Sequence, residues 1–310
     1  MDHRLLGWSA PEGPDSEAYD EGRQPGSVMP VMPAQPDGED PADHEHDGPR
    51  LAQPVPRIMP VTPLGPIPRE EVEEAKAPGV PALVDRSDMM AALNRALEID
   101  PRRTAVITID CQRSHLDLAV ATMPVAPQAA ATVVASMARL LRFARGSGMS
   151  VVHVLSQNRI LPKGQPESLC NPFWSAVERT RQSLTPDRES TISRHNVVGT
   201  VQTQLMPELG PEPGDVVIDR KRRLSIYRDT DLDLTLRELG VDTVVLTGID
   251  TSTSVLCAAF ESANRDLRTI VVEDCVQSLY GDDLHFFGLQ NVARCLGWVL
   301  TEEELVAKVG

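Results

Sequence analysis

The chain has no excess of basic charge. Its formal charge of −15 argues against nucleic acid as a partner, because phosphate binding wants a basic face. Part of that charge (Glu39, Asp40, Asp43, Glu45, Asp47) sits near the N-terminus and says less about the folded part. No apolar run is long enough to cross a bilayer, and no secretory pattern follows Met1. A cytoplasmic protein without a membrane partner is expected. The five cysteines (Cys111, Cys170, Cys257, Cys275, Cys295) are an odd number, with neither CxxC nor Cys/His zinc spacing. This points away from a disulfide scaffold and toward a reducing compartment. Internal repeats are absent. Aromatic residues make up only 4% of the chain, so each one near a candidate pocket carries weight.

What is present divides in two. Residues 1–80 hold most of the prolines, with acidic residues and little periodicity. They read as an extended or disordered arm. Apolar residues in Ile58-Met59-Pro60-Val61 and Leu64-Gly65-Pro66-Ile67 keep open a contact with the domain or with a neighbouring subunit. Residues 81–310 alternate strands and helices. Strands are expected over Thr104–Ile109, Met149–Leu155, Asp215–Ile218, Thr243–Thr247 and Thr269–Val272. Helices are expected from a cap at Asp88 through Leu97, then over Ala129–Arg145, Thr230–Leu239, Val255–Asn264 and Leu284–Leu296. Unbroken Val/Ile strands alternating with helices indicate a parallel sheet covered on both faces. The fold class is α/β, a three-layer α/β/α sandwich with a mainly parallel, Rossmann-like sheet. Residues 157–214 lack regular signals and read as an insert that shapes a pocket.

In such sheets ligands bind at the carboxyl ends of strands. Three polar elements fall there. Asp110 ends the first strand, Lys221 follows the third in Asp219-Arg220-Lys221-Arg222-Arg223, and a Ser/Thr-rich turn, Gly248-Ile249-Asp250-Thr251-Ser252-Thr253-Ser254, follows the fourth. A strand-to-helix turn aims backbone N–H groups at one point, where the helix dipole favours negative charge.

These motifs resemble the cysteine hydrolases of the isochorismatase-like superfamily. That pattern is an apolar strand ending in Asp-x-Gln, a Lys shortly before a Ser-x-Phe/Tyr step, and a Gly-Val/Ile-x-Thr-x-x-Cys turn opening a helix. This chain reads Ile109-Asp110-Cys111-Gln112, then Lys221-Arg222-Arg223-Leu224-Ser225-Ile226-Tyr227, then Gly248 to Ser254, with Val271-Val272-Glu273-Asp274 resembling a later step. The likeness covers roughly residues 88–300 and not the arm. It implies an isochorismatase-like fold and a hydrolase acting on a small amide, ureide or cyclic imide. It also implies Asp110 as proton acceptor, Lys221 as electrostatic support, and residue 254 as nucleophile. The Asp250 and Ser254 N–H groups would be the oxyanion donors beside a cis Ile249–Asp250 peptide, and Gln112, His115 and Tyr227 would contact substrate. Trp174, in the irregular insert of a chain poor in aromatics, reads on its own as pocket wall in contact with substrate. No cofactor and no metal are expected, because the metal-binding relatives use Asp-x-His-type spacing. A homo-oligomer, dimer or tetramer, is expected.

One departure stands out: Ser254 occupies the position of the nucleophilic cysteine. A thiol ionises near pH 8.5, and lower beside a helix N-terminus and a lysine, whereas a serine usually needs an adjacent imidazole. No histidine falls within the three motifs; His115 and His153 are the nearest by strand-end position. Three readings stay open. Ser254 is an engineered Cys→Ser change that silences the enzyme. Or it is native with other chemistry, such as a vinyl ether hydrolase in which Asp110 is the acid. Or the protein is a silent binder. Cys257, one turn further, reads as a packed thiol.

Overall fold

The computed structural model describes residues 84–180, 184–185 and 188–310; the expected N-terminal arm lies outside the described residues. The elements in chain order are α1 (Ser87–Ala96), β1 (Thr104–Ile109), the single turn α2 (Arg113–Leu116), α3 (Pro127–Ser147), β2 (Ser150–Ser156), α4 (Pro172–Thr180), β3 (Val216–Lys221), α5 (Leu232–Glu238), β4 (Thr243–Ile249), α6 (Leu256–Ala263), β5 (Arg268–Gln277), α7 (Asp282–Asn291), β6 (Trp298–Leu300) and α8 (Glu302–Val309). The strands form one sheet in the order β3-β2-β1-β4-β5-β6, and every neighbouring pair is parallel. The expected α/β sandwich is therefore observed.

Alternation along β1 builds the layers. Val106 joins the core on one face, while Ala105, Ile107 and Ile109 join the other. Successive strand side chains point to opposite faces, so a strand covered on both sides can be apolar throughout. The first core takes its helical side from α3. Its buried Val133, Met137, Leu140, Leu141 and Ala144 recur at helical spacing. The second takes Leu232 and Leu236 from α5 and Ala258 and Ala259 from α6. Ile107, Ile109, Leu140 and Leu246 are fully buried, each contributing about 1.5–3 kcal/mol by removal of apolar surface from water.

Several expected bounds move. Asp88 lies inside α1 and caps nothing; the N-cap is Arg86, without a side-chain hydrogen bond. β3 extends to Lys221, so the lysine ends the strand rather than following it. The expected Leu284–Leu296 helix is α7 continued by a wider π-type turn, Val292–Leu296. A similar turn, Thr251–Val255, precedes α6. α4, β6 and α8 were not expected.

Gly248 holds the central strands together. Its φ is +110°, and a Cβ there would lie 2.1 Å from the Ile109 carbonyl oxygen. Only glycine permits this approach of β4 to β1.

Candidate active site

The parallel order puts four strand ends side by side. Neighbouring strands are about 4.8 Å apart, so side chains leaving the carboxyl ends of β3, β2, β1 and β4 can meet. Asp110 follows β1 with φ of +52°, a left-handed conformation that non-glycine residues seldom adopt and that tends to mark functional sites. Ser156 ends β2, Lys221 ends β3, and the turn after β4 carries Ser254.

These four groups form one closed network. The Lys221 Nζ donates to Asp110 Oδ2 at 2.6 Å, to Ser156 Oγ at 3.0 Å and to Ser254 Oγ at 3.1 Å. An ammonium has three protons, and each has an acceptor. Asp110 also accepts from Ser156 Oγ at 2.5 Å and from Ser254 Oγ at 3.0 Å. The Lys221 and Asp110 side chains are 3% and 6% exposed, and Ser254 is buried. Charge-assisted hydrogen bonds in so dry a place are strong and fix geometry.

Gln112 braces the network from behind. Its Oε1 accepts from the Ser156 N–H at 2.8 Å, and its Nε2 donates to the Ser156 and Thr203 carbonyls at 2.9 Å each. The amide therefore clamps the last residue of β2, which aims the Ser156 hydroxyl at Asp110.

Two histidines face each other, with ring centroids of His115 and His195 4.8 Å apart. Burial holds both below the ordinary imidazole range, His195 strongly so. Both are therefore neutral at pH 7. His115 Nδ1 meets the Met123 carbonyl at 2.7 Å, and His195 Nδ1 meets Thr122 Oγ1 at 3.0 Å. Burial pushes Asp250 up to about 6, against donors from Ser252. Its Oδ1 accepts from the Ser252 N–H and hydroxyl and its Oδ2 from the Leu279 N–H, so both oxygens have internal partners.

Asp110, His115, Trp174, Lys221, Asp250 and Ser254 line one cavity, together with Ser156, Asn158, Ile192, His195 and Arg223. Two expected contact residues do not reach it. Gln112 is fully buried and spent on backbone groups. Tyr227 is in the core, with its hydroxyl on Ser262 Oγ at 2.8 Å and Arg265 stacked over its ring at 3.9 Å; burial raises the phenol to about 12. His153 is likewise spent, between Thr108 and Asp215 inside the sheet. The Ile249–Asp250 peptide is cis. Cys257 does not line the cavity, and burial and Glu261 raise its thiol.

Sequence reasoning missed Ser156, although it ends an apolar strand as Asp110 does. It also missed His195 and Asn158, which lie in an insert without periodicity. Among the described residues no group of three or more His, Cys, Asp or Glu side chains could hold a metal ion. Nor is any helix among them long and apolar enough to cross a membrane.

Residues 104–304 match the isochorismatase domain. The chain belongs to the isochorismatase family. Relatives include the ureidoacrylate amidohydrolase RutB of Variovorax paradoxus, 26% identical over 74% of this chain and 89% of that protein. That of Methylobacterium radiotolerans is 29% identical over 68% and 81%. An isochorismatase family protein from Burkholderia thailandensis is 27% identical with a TM-score of 0.51, covering 68% of this chain and 97% of that one. A cysteine hydrolase from Pseudomonas syringae pv. phaseolicola shares the fold at 20% identity, with a TM-score of 0.55 over 69% of this chain and 95% of that one.

Proposed function

We propose that this isochorismatase-family chain hydrolyses the C–N bond of a small amide or ureide, with residue 254 as the attacking group. The supporting observation is that the Ser254 hydroxyl bonds both Asp110 Oδ2 and the Lys221 ammonium, at 3.0 and 3.1 Å. That is the reach a nucleophile needs from its proton acceptor and from an electrostatic stabiliser. The Ser254 oxygen attacks the carbonyl carbon while its proton passes to Asp110. The charge gathering on the carbonyl oxygen is met by the Asp250 and Ser254 N–H groups, with Lys221 nearby. Asp110 returns the proton to the leaving nitrogen, the C–N bond breaks, and water releases the acid.

The relatives named ureidoacrylate amidohydrolase favour an amide or ureide. The vinyl ether reading fits less well. Asp110 Oδ2 faces the Lys221 ammonium, a group that only donates, at 2.6 Å, whereas that chemistry requires Asp110 to give a proton. A serine without a hydrogen-bonded imidazole is a slow nucleophile. Ammonia release from a panel of amides and ureides tests the reading. Ser254→Cys is expected to raise the rate by about 100-fold or more, and Asp110→Asn to abolish it in both backgrounds. Full turnover by Ser254→Ala would overturn it.

A further inference from the structure

Ser156 takes no part in the bond-breaking step above, yet its hydroxyl touches both members of the buried ion pair. The Oγ donates to Asp110 Oδ1 at 2.5 Å and accepts from Lys221 Nζ at 3.0 Å. The two oxygens of Asp110 are thus used differently. Oδ2 takes Lys221 and Ser254, whereas among the described residues Oδ1 has Ser156 alone.

The fold delivers this hydroxyl in three ways. Val154 of β2 pairs with Ile218 of β3, and Ser156 pairs with Lys221, so two steps along β2 match three along β3. Leu155 therefore faces both Asp219 and Arg220 across a bulge, a feature that re-aims side chains beside functional sites. In an unbroken register Ser156 would face the exposed Arg220 instead of Lys221. The Asp110 N–H donates to the Val154 carbonyl at 3.0 Å. The same strand thus holds Asp110 by its backbone and, two residues on, by its side chain. Gln112 clamps the Ser156 backbone on both its N–H and its carbonyl.

We propose that Ser156 is a positioning residue of this site: by filling Asp110 Oδ1 it keeps the Lys221 ammonium from closing on both carboxylate oxygens, and so leaves one ammonium proton turned toward residue 254. The inference deepens the hydrolase reading and rests on it for the identity of the attacking group. Once the Ser156 hydroxyl is removed, the ammonium has a proton without an acceptor and Oδ1 has no donor. Opposite charges then meet through two hydrogen bonds, and the ammonium leaves residue 254.

The sulfur of Ser254→Cys reports this geometry without any substrate. Iodoacetamide is the probe: the thiolate sulfur bonds its methylene carbon and iodide leaves. The rate at position 254 is followed against pH by fragment masses that resolve it from Cys257. Adding Ser156→Ala is expected to move the midpoint up by about one pH unit, which slows alkylation at about pH 7 by about tenfold. The plateau at high pH should stay within about twofold, because access is unaltered. Ser156→Thr keeps a hydroxyl and should stay within about threefold of the parent. Ser156→Val matches threonine in shape without the hydroxyl; it should behave as Ser156→Ala does, and it replaces that variant where melting shows that the alanine chain does not fold. Alkylation unchanged or faster without the hydroxyl, a lowered plateau with a fixed midpoint, or Ser156→Thr as slow as Ser156→Val overturns the proposal. Ammonia release by the same chains from amides and ureides separates the two readings. There kcat is expected to fall by about tenfold without the hydroxyl while KM stays within about twofold. A shifted midpoint with no ammonia from any compound defeats the hydrolase assignment alone, and ammonia release with a fixed midpoint defeats the role of Ser156 alone.

Discussion

Replacing Lys221 by Met takes the ammonium out of a pair whose side chains are 3% and 6% exposed. Methionine is unbranched and of similar length, so the change is chiefly one of charge. Asp110 keeps its Ser156 and Ser254 donors but loses its countercharge. Breaking a buried ion pair from one side costs about 3–5 kcal/mol, because the remaining charge is stranded away from water. The two retained hydroxyl donors place the expected loss near the lower end, about 3 kcal/mol. With a urea slope of about 3 kcal/mol per molar, the unfolding midpoint followed by circular dichroism should fall by about 1 M. Removing the stranded charge as well, with Asp110→Asn in the same chain, should return most of that loss, since uncharged groups in a buried site need no countercharge. A Lys221→Met protein with an unchanged midpoint would refute the claim that the ammonium compensates Asp110.

Two further outcomes follow from the packing and the charge. Gly248→Ala would place a Cβ 2.1 Å from the Ile109 oxygen at a φ of +110°, and its melting temperature should drop by more than about 5 °C. Gly146→Ala, with nothing within 4 Å, should be neutral or stabilising by about 1 kcal/mol; equal melting of the two variants would contradict this. The Arg159 hydrogen bond holds Glu167 down to about 2 from an ordinary 4.5. A depressed carboxyl contributes stability above its unfolded value and loses it as pH falls through the folded one. The destabilisation by Glu167→Gln should thus be complete at about pH 7 and shrink from 4.5 toward 2; a midpoint difference independent of pH would count against it.

The legible parts of the fold were those whose environment is uniform. β1 and β4 are buried at every position, and their apolar runs say so. β3 was read too short because it is the edge strand. Its outward positions tolerate Asp219 and Arg220, and the polar residues hid three more residues of strand and the attachment of Lys221. α8 was missed although Thr301 and Glu304 form a capping box, a signature present in the letters. In the site, Asp110, Lys221 and Ser254 were found from position relative to strands and from the resemblance. Gln112 and Tyr227 were misassigned because a motif does not show which way a side chain turns. His195 was missed because nothing local in the insert marks it; its partner His115 is 80 positions earlier in the chain.

The hydrogen-bonded groups Asp110, Ser156, Lys221 and Ser254 stand at the ends of four adjoining strands, whereas much of the surrounding wall (Asn158, Trp174, Ile192, His195) is supplied by the single stretch 157–214. Mutations in that stretch can remodel what fits inside while the hydroxyls and the ion pair keep their spacing. Molecular recognition and bond-breaking here are thus separable inheritances, and a graft of this segment from a kindred protein is the natural way to exchange one appetite for another.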